Sequence, residues 1–126
     1  MNSSRRLPVV VTRRFERALE KILDHYETLR HLHPDAGSKA LRLIESIEAD
    51  LQPMLSQHPD IGRPVQLSLT MSESEQNWLQ RLAPLTAARR LQAREWLLGD
   101  FWILYYRTAS AVYLVSVRHE REAEYH

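Results

Sequence analysis

"REWLLGDFWILYYRTASAVYLVSVRHERE", residues 94–122, decides the fold. Gly99-Asp100 separates two apolar runs and reads as a two-residue hairpin turn of the type that wants glycine first. One strand is expected over roughly Leu91 to Leu98 and the next over Phe101 to Arg107. "TAS" then turns the chain into a further strand, Ala111 to Arg118. Three strands joined by short turns make an antiparallel meander. In the middle strand Phe101, Ile103 and Tyr105 lie on one face and Trp102, Leu104 and Tyr106 on the other. A strand apolar on both faces needs cover on both.

Upstream, "LPVVVT" is a short β-branched run that suits a first strand. Thr12 can cap a helix beginning near Arg13, along which Phe15, Leu19, Ile22, Tyr26 and Leu29 recur at helical spacing. Pro34, Asp35 and Gly37 make a turn, and Ser38 is a candidate cap for the next helix. Leu41, Ile44, Ile47, Leu51 and Leu55 form its stripe, and Pro53 should kink it or end it early. The two helices form an antiparallel hairpin. "QHPDIGRPV", residues 57–65, is a rigid connection. "SESE" at 72–75 fits a capping box for an inserted short helix carrying Trp78, Leu79 and Leu82 and closed by Pro84. The expected fold is α+β: an N-terminal strand and a two-helix hairpin packed on a small antiparallel sheet, with the inserted helix ahead of the meander. The hairpin can cover one sheet face. The other falls to the segment 66–86, to a second copy of the chain, or to a partner protein.

At 126 residues and 44% hydrophobic content the chain fits one domain, 1–126, with one core. A net charge of +1 does not mark a nucleic-acid binder by bulk charge, but the distribution is uneven. From 45 to 80 only Arg63 stands against six acidic residues, whereas Arg81, Arg89, Arg90, Arg94, Arg107, Arg118 and Arg121 make the C-terminal part basic. Lys21 and Lys39 are the only lysines. Arginine suits bidentate contacts to phosphate or carboxylate, though arginine richness can equally reflect genome composition. The absence of cysteine excludes disulfides and thiolate metal sites. No signal-peptide stretch and no run of membrane-spanning length is visible, so a cytosolic protein without membrane contact is expected.

The last strand ends in Arg118, His119, Glu120, Arg121 and Tyr125. These residue types suit metal-free RNA cleavage, which needs a base, an acid for the leaving oxygen and cations for the phosphorane charge. His119 or Glu120 could be the base and Tyr125 or His119 the acid, with Arg121 and Arg118 as phosphate clamps. Arg94 would face the same phosphate, and Tyr105, Tyr106 and Trp102 could stack on splayed bases. Plainer roles stand beside these. Arg63 can pin its loop to a carboxylate or to carbonyls, Arg94 can pair with Glu95 or Asp100 on the sheet surface, and His119 can be a solvated tail residue. His25, His31 and His33 are a weak metal pattern.

In order along the chain, "VVVTRRFERALEKI" (9–22), "PDIGRP" (59–64), "REWLLGDFWILYYR" (94–107) and "VYLVSVRHERE" (112–122) resemble the RelE/ParE superfamily of bacterial type II toxins. The branch they resemble is that of the plasmid-stabilisation proteins. The stretch from Gln66 to Arg90 is longer than the family leads one to expect. The resemblance implies a growth-inhibiting toxin neutralised by a cognate antitoxin, without cofactor or metal, and touching operator DNA only through that antitoxin. The expected action is metal-free cutting of messenger RNA on the ribosome, for which the His119–Arg121–Tyr125 tail speaks, and the alternative is DNA gyrase blocked by binding. An inactive relative serving only in an autoregulatory complex is a third reading. By the resemblance to nuclease members, Arg121 and Tyr125 carry over as catalytic, with His119 beside them and Arg94 at the Arg-Glu position. Arg63, Arg107, Arg118 and Tyr106 are the candidate substrate contacts. Trp102 stands where nuclease members commonly have an arginine, and "PDIGRP" is closer to the gyrase-directed members. Antitoxins of the family imply an acidic, amphipathic tail covering the outer sheet face and meeting Arg94, Arg107, Arg118 and Arg121.

Overall fold

A computed structural model describes residues 6–30, 32–65 and 92–122. The expected helix carrying Trp78, Leu79 and Leu82, together with Tyr125, lies outside them. Strand β1 is Val9–Val11, helix α1 Arg13–Leu29 and helix α2 Asp35–Ser46. A π-helical turn, Ile47–Leu51, leads into α3, Gln52–Gln57. Strands β2 (Arg63–Pro64), β3 (Gln92–Leu98), β4 (Phe101–Arg107) and β5 (Val112–His119) follow. The architecture is α+β.

The meander forms as its turn chemistry requires. Gly99 has φ 61°, the left-handed region that glycine occupies without steric cost, and Leu98 pairs with Phe101 across it. The sheet, however, is larger than three antiparallel strands. Its order is β1-β5-β4-β3-β2, and it is mixed, because β1 runs parallel to β5. Strand β2, the first after the helices, runs opposite to β1, and the three successive antiparallel pairings from β2 to β5 bring β5 round parallel to β1. Thr12 fastens this corner: its hydroxyl accepts from the Phe15 N–H at 3.2 Å and donates to the Leu114 carbonyl at 2.6 Å. The connection 57–65 contributes β2 as the opposite edge, with Arg63 paired to Glu95 and Pro64 to Arg94. Proline is tolerated there because an edge strand can lack a ladder N–H.

The second helix departs from expectation in three ways. It begins at Asp35, with Pro34 at the N-cap and no side-chain cap, so Ser38 lies inside it. Its buried stripe is Leu43, Ile47, Leu51 and Leu55, while Leu41 is 58% exposed. It also continues past Pro53. Proline has no N–H for the carbonyl four residues back, and the strain is absorbed by the wider turn just upstream, where the Gln52 N–H bonds the Ile47 carbonyl. A four-residue repeat drifts around an α-helix. The π turn counters that drift and keeps all four leucine and isoleucine side chains on the sheet.

The core cluster on the inner face joins Phe15, Ala18 and Ile22 of α1 and the stripe of the second helix to Ile103, Tyr105, Leu114 and Val117. The outer face carries Ala93, Leu104, Tyr106 and Val115, with Val65, Trp102 and Tyr113 packed against them. Leu104, Tyr106 and Val115 have no exposed surface in this chain. A β-bulge interrupts β4–β5: Leu104 pairs with Ser116 but Tyr105 with Leu114, leaving Val115 extra. Beyond the bulge the alternation is reversed. Val117 and His119 therefore join Val112 and Leu114 on the inner side, and Arg118 faces outward beside Trp102.

Candidate functional site

The predicted site residues among those described fall into three separate groups. The first is a knot beneath the loop 58–63. The Tyr105 hydroxyl donates to the Pro59 carbonyl at 2.8 Å and accepts from the Gly62 N–H at 2.9 Å. Burial pushes that hydroxyl above its ordinary value of 10.0, against the Gly62 bond and the Arg94 and Arg107 charges, which pull it down. Arg94 donates to the carbonyls of Asp60 at 3.0 Å and Gly62 at 2.6 Å. The Asp60 carboxylate also meets Arg107 Nε at 2.8 Å. Gly62 has no alternative here: a Cβ would sit 2.7 Å from the Tyr105 hydroxyl oxygen and 2.8 Å from the Glu95 carbonyl. Arg94 does not pair with Glu95 or Asp100. Glu95 is its strand neighbour and points to the other face. Arg94 and Arg107 are thus bound up in holding the loop, on the inner side of the sheet rather than around an outer rim.

The second group lies on the outer face. Arg63 Nε donates to Glu95 Oε1 at 2.6 Å, and its guanidinium stacks 4.1 Å from the centre of the Trp102 ring. Glu95 is buried, so this pair locks β2 to β3 from within the sheet. Arg118 stands 6.0 Å from the same ring and donates to the Glu122 carbonyl at 2.5 Å. Tyr106 belongs to this face and is fully buried, which leaves its ring no surface on which a base could stack.

The third group is a cleft of about 640 Å³ between the helices and the end of β5, and it contains His119 and Arg121. His119 is set edge-on against Phe101, ring centres 5.3 Å apart, and its Nδ1 accepts from the Arg121 N–H at 3.2 Å. Its own N–H donates to Glu122 Oε1 at 3.0 Å. Because Nδ1 is an acceptor, a neutral His119 carries its proton on Nε2. In that form it can donate a hydrogen bond from Nε2, while its basic nitrogen is occupied by the Arg121 N–H. Lys21 and Lys39 form the cationic side of the cleft, with His25 and Tyr26 lining it beside them. No local motif placed these four in one site, since they come from two helices whose packing brings them to the end of the sheet.

Of the three catalytic candidates among the described residues, His119 and Arg121 share a site and Arg94 does not. Arg94 pairs with Tyr105 and His119 with Phe101, four residues apart along β4 and on its opposite sides. Strand spacings put the two about 16 Å apart. Among the described residues no group of three histidine or acidic side chains is placed to hold a metal, and no helix is long and apolar enough to cross a membrane. No family model and no curated protein matches the chain.

Proposed function

We propose that this chain is the toxin of a bacterial type II toxin–antitoxin pair, of the RelE/ParE kind, restrained by a small cognate antitoxin and acting on its target by binding. The observation that carries the reading is the knot. Pro59, Asp60, Gly62 and Arg63 of "PDIGRP" bond with Arg94, Glu95, Tyr105 and Arg107, all from one other part of the resemblance, "REWLLGDFWILYYR". Residues far apart in sequence that hold one another in place would be expected to recur together as a set. Their role is then to present a loop. DNA gyrase is the target that the resemblance offers to a toxin of this type.

Binding is favoured over cleavage by what the catalytic candidates are doing. Arg94 is committed to loop carbonyls, and His119 has no free base nitrogen. Ribosome-dependent cleavage of messenger RNA is the second reading, favoured by His119 and Arg121 in one cationic cleft. Induced expression, with protein synthesis and DNA replication followed separately, distinguishes them. Replication arrest and an SOS response with messages intact are expected. An early stop in translation with cut messages would replace the binding reading by the nuclease one. Normal growth at full expression, with or without the antitoxin, would remove the toxin reading.

A further inference from the structure

Two clefts adjoin at the end of the sheet and share a wall formed by Tyr26, Lys39 and Phe101. The smaller, about 190 Å³, is floored by Leu43, Leu98 and the Phe101 ring, with Asp100 and Arg42 at its rim. The larger holds Lys21, His25, His119 and Arg121. The sequence has only two lysines, and both line this place. Aromatic rings run across it in contact: His25 to Tyr26 at 6.2 Å, Tyr26 to Phe101 at 6.2 Å and Phe101 to His119 at 5.3 Å. Among the described residues Glu122 is the one carboxylate lining the larger cleft, and its Oε1 is engaged by the His119 N–H. The result is an apolar, ring-bearing recess opening directly into a cationic one.

These halves call for different chemistry. A bare inorganic anion would satisfy the cations and leave the recess empty, while a purely apolar ligand would leave Lys21, Lys39 and Arg121 without counter-charge. A molecule with a planar ring at one end and phosphates at the other uses both. We propose that the paired cleft binds a nucleoside diphosphate. The base lies against Phe101, Tyr26 and Leu98, where stacking and apolar contact require no particular edge. Asp100 accepts from the ribose hydroxyls. The phosphates meet Lys21, Lys39 and Arg121, and the proton that His119 holds on Nε2 makes it a further donor. This site does not rest on the binding reading, because it does not involve the knot, although it shares His119 and Arg121 with the cleavage reading.

The test is calorimetric titration of the purified chain with ADP, adenosine and pyrophosphate, repeated on the Lys21→Gln/Lys39→Gln variant. Both lysines are exposed on helix surfaces, so the variant should fold, with an unchanged circular dichroism spectrum. ADP should bind more tightly than either fragment. The variant should lose about tenfold in affinity per lysine, the equivalent of one charged hydrogen bond each. Equal affinity for ADP and pyrophosphate would reduce the cleft to a simple anion site and overturn the proposal. So would ADP binding unaffected by the double substitution, no binding of ADP at millimolar concentration, or binding of a short single-stranded RNA but not of ADP.

Discussion

At the scale of single residues the most informative side chain is Tyr105. It is fully buried, yet its hydroxyl makes two bonds to the backbone of one loop. Tyr105→Phe leaves a carbonyl and an N–H without that partner and should cost about 1–3 kcal/mol in denaturant unfolding. Gly62→Ala should cost more, because its Cβ would press on the Glu95 backbone as well as on the tyrosine. The knot also makes a pH prediction. Unfolded tyrosine loses its proton near 10, while the folded Tyr105 holds it above that value. Stability linked to this group is therefore whole below about pH 10 and lost as pH rises through the folded value. Tyr26, raised by burial and by Asp100, adds a share of the same sign. Unfolding curves between pH 8 and 11 should show an alkaline decline that is shallower in Tyr105→Phe but still present. A decline identical to the parent's would mean that Tyr105 does not supply it.

At the scale of elements, the second helix and the hairpin turn carry separate expectations. The helix buries Leu51 completely and exposes Leu41. Leu51→Ala should lose about 2–5 kcal/mol, as truncation in a packed core does, and Leu41→Ala should stay within about 0.5 kcal/mol of the parent. Equal losses would mean that the stripe runs through Leu41, with an uninterrupted α-helix in place of the π turn. At the hairpin, Gly99 has nothing within 4 Å of an added Cβ, so only its positive φ resists substitution. Gly99→Ala should cost about 1 kcal/mol, measured by chemical denaturation.

For the whole molecule, the layout separates structural charge from available charge. Asp60 and Glu95 engage Arg94, Arg107 and Arg63, while His119, Arg121, Lys21 and Lys39 line an open cleft. Arg94→Ala should reduce toxicity only as far as it lowers stability, a correlation that melting temperature and growth inhibition measured together will reveal. His119→Ala with Arg121→Ala should leave the fold intact and, for a toxin that binds its target through the loop, leave growth inhibition intact too. Loss of toxicity in that double variant at equal expression and equal stability would move the reading to cleavage, where one lost transition-state contact alone removes about a hundredfold in rate.

The meander, the Thr12 cap and α1 were legible in the residues because each rests on local chemistry: alternation, a glycine between two strands, a hydroxyl ahead of a helical stripe. The composition of the tail was legible in the same way. The sequence did not determine which tail side chains would face the helices. Simple alternation from Val112 puts Arg118 with the core-facing residues. The bulge at Val115 reverses this and sends His119 inward to Phe101 and the cleft. Nor did it determine that β1 would lie parallel to β5, that Pro53 would be absorbed by a π turn, or that "PDIGRP" would become a sheet edge tied to Arg94, Glu95 and Tyr105. Those outcomes depend on pairing and packing between segments distant in the chain, whose energies enter only when the segments meet. A one-residue slip there exchanges the two faces of a strand, and with them the roles of its residues.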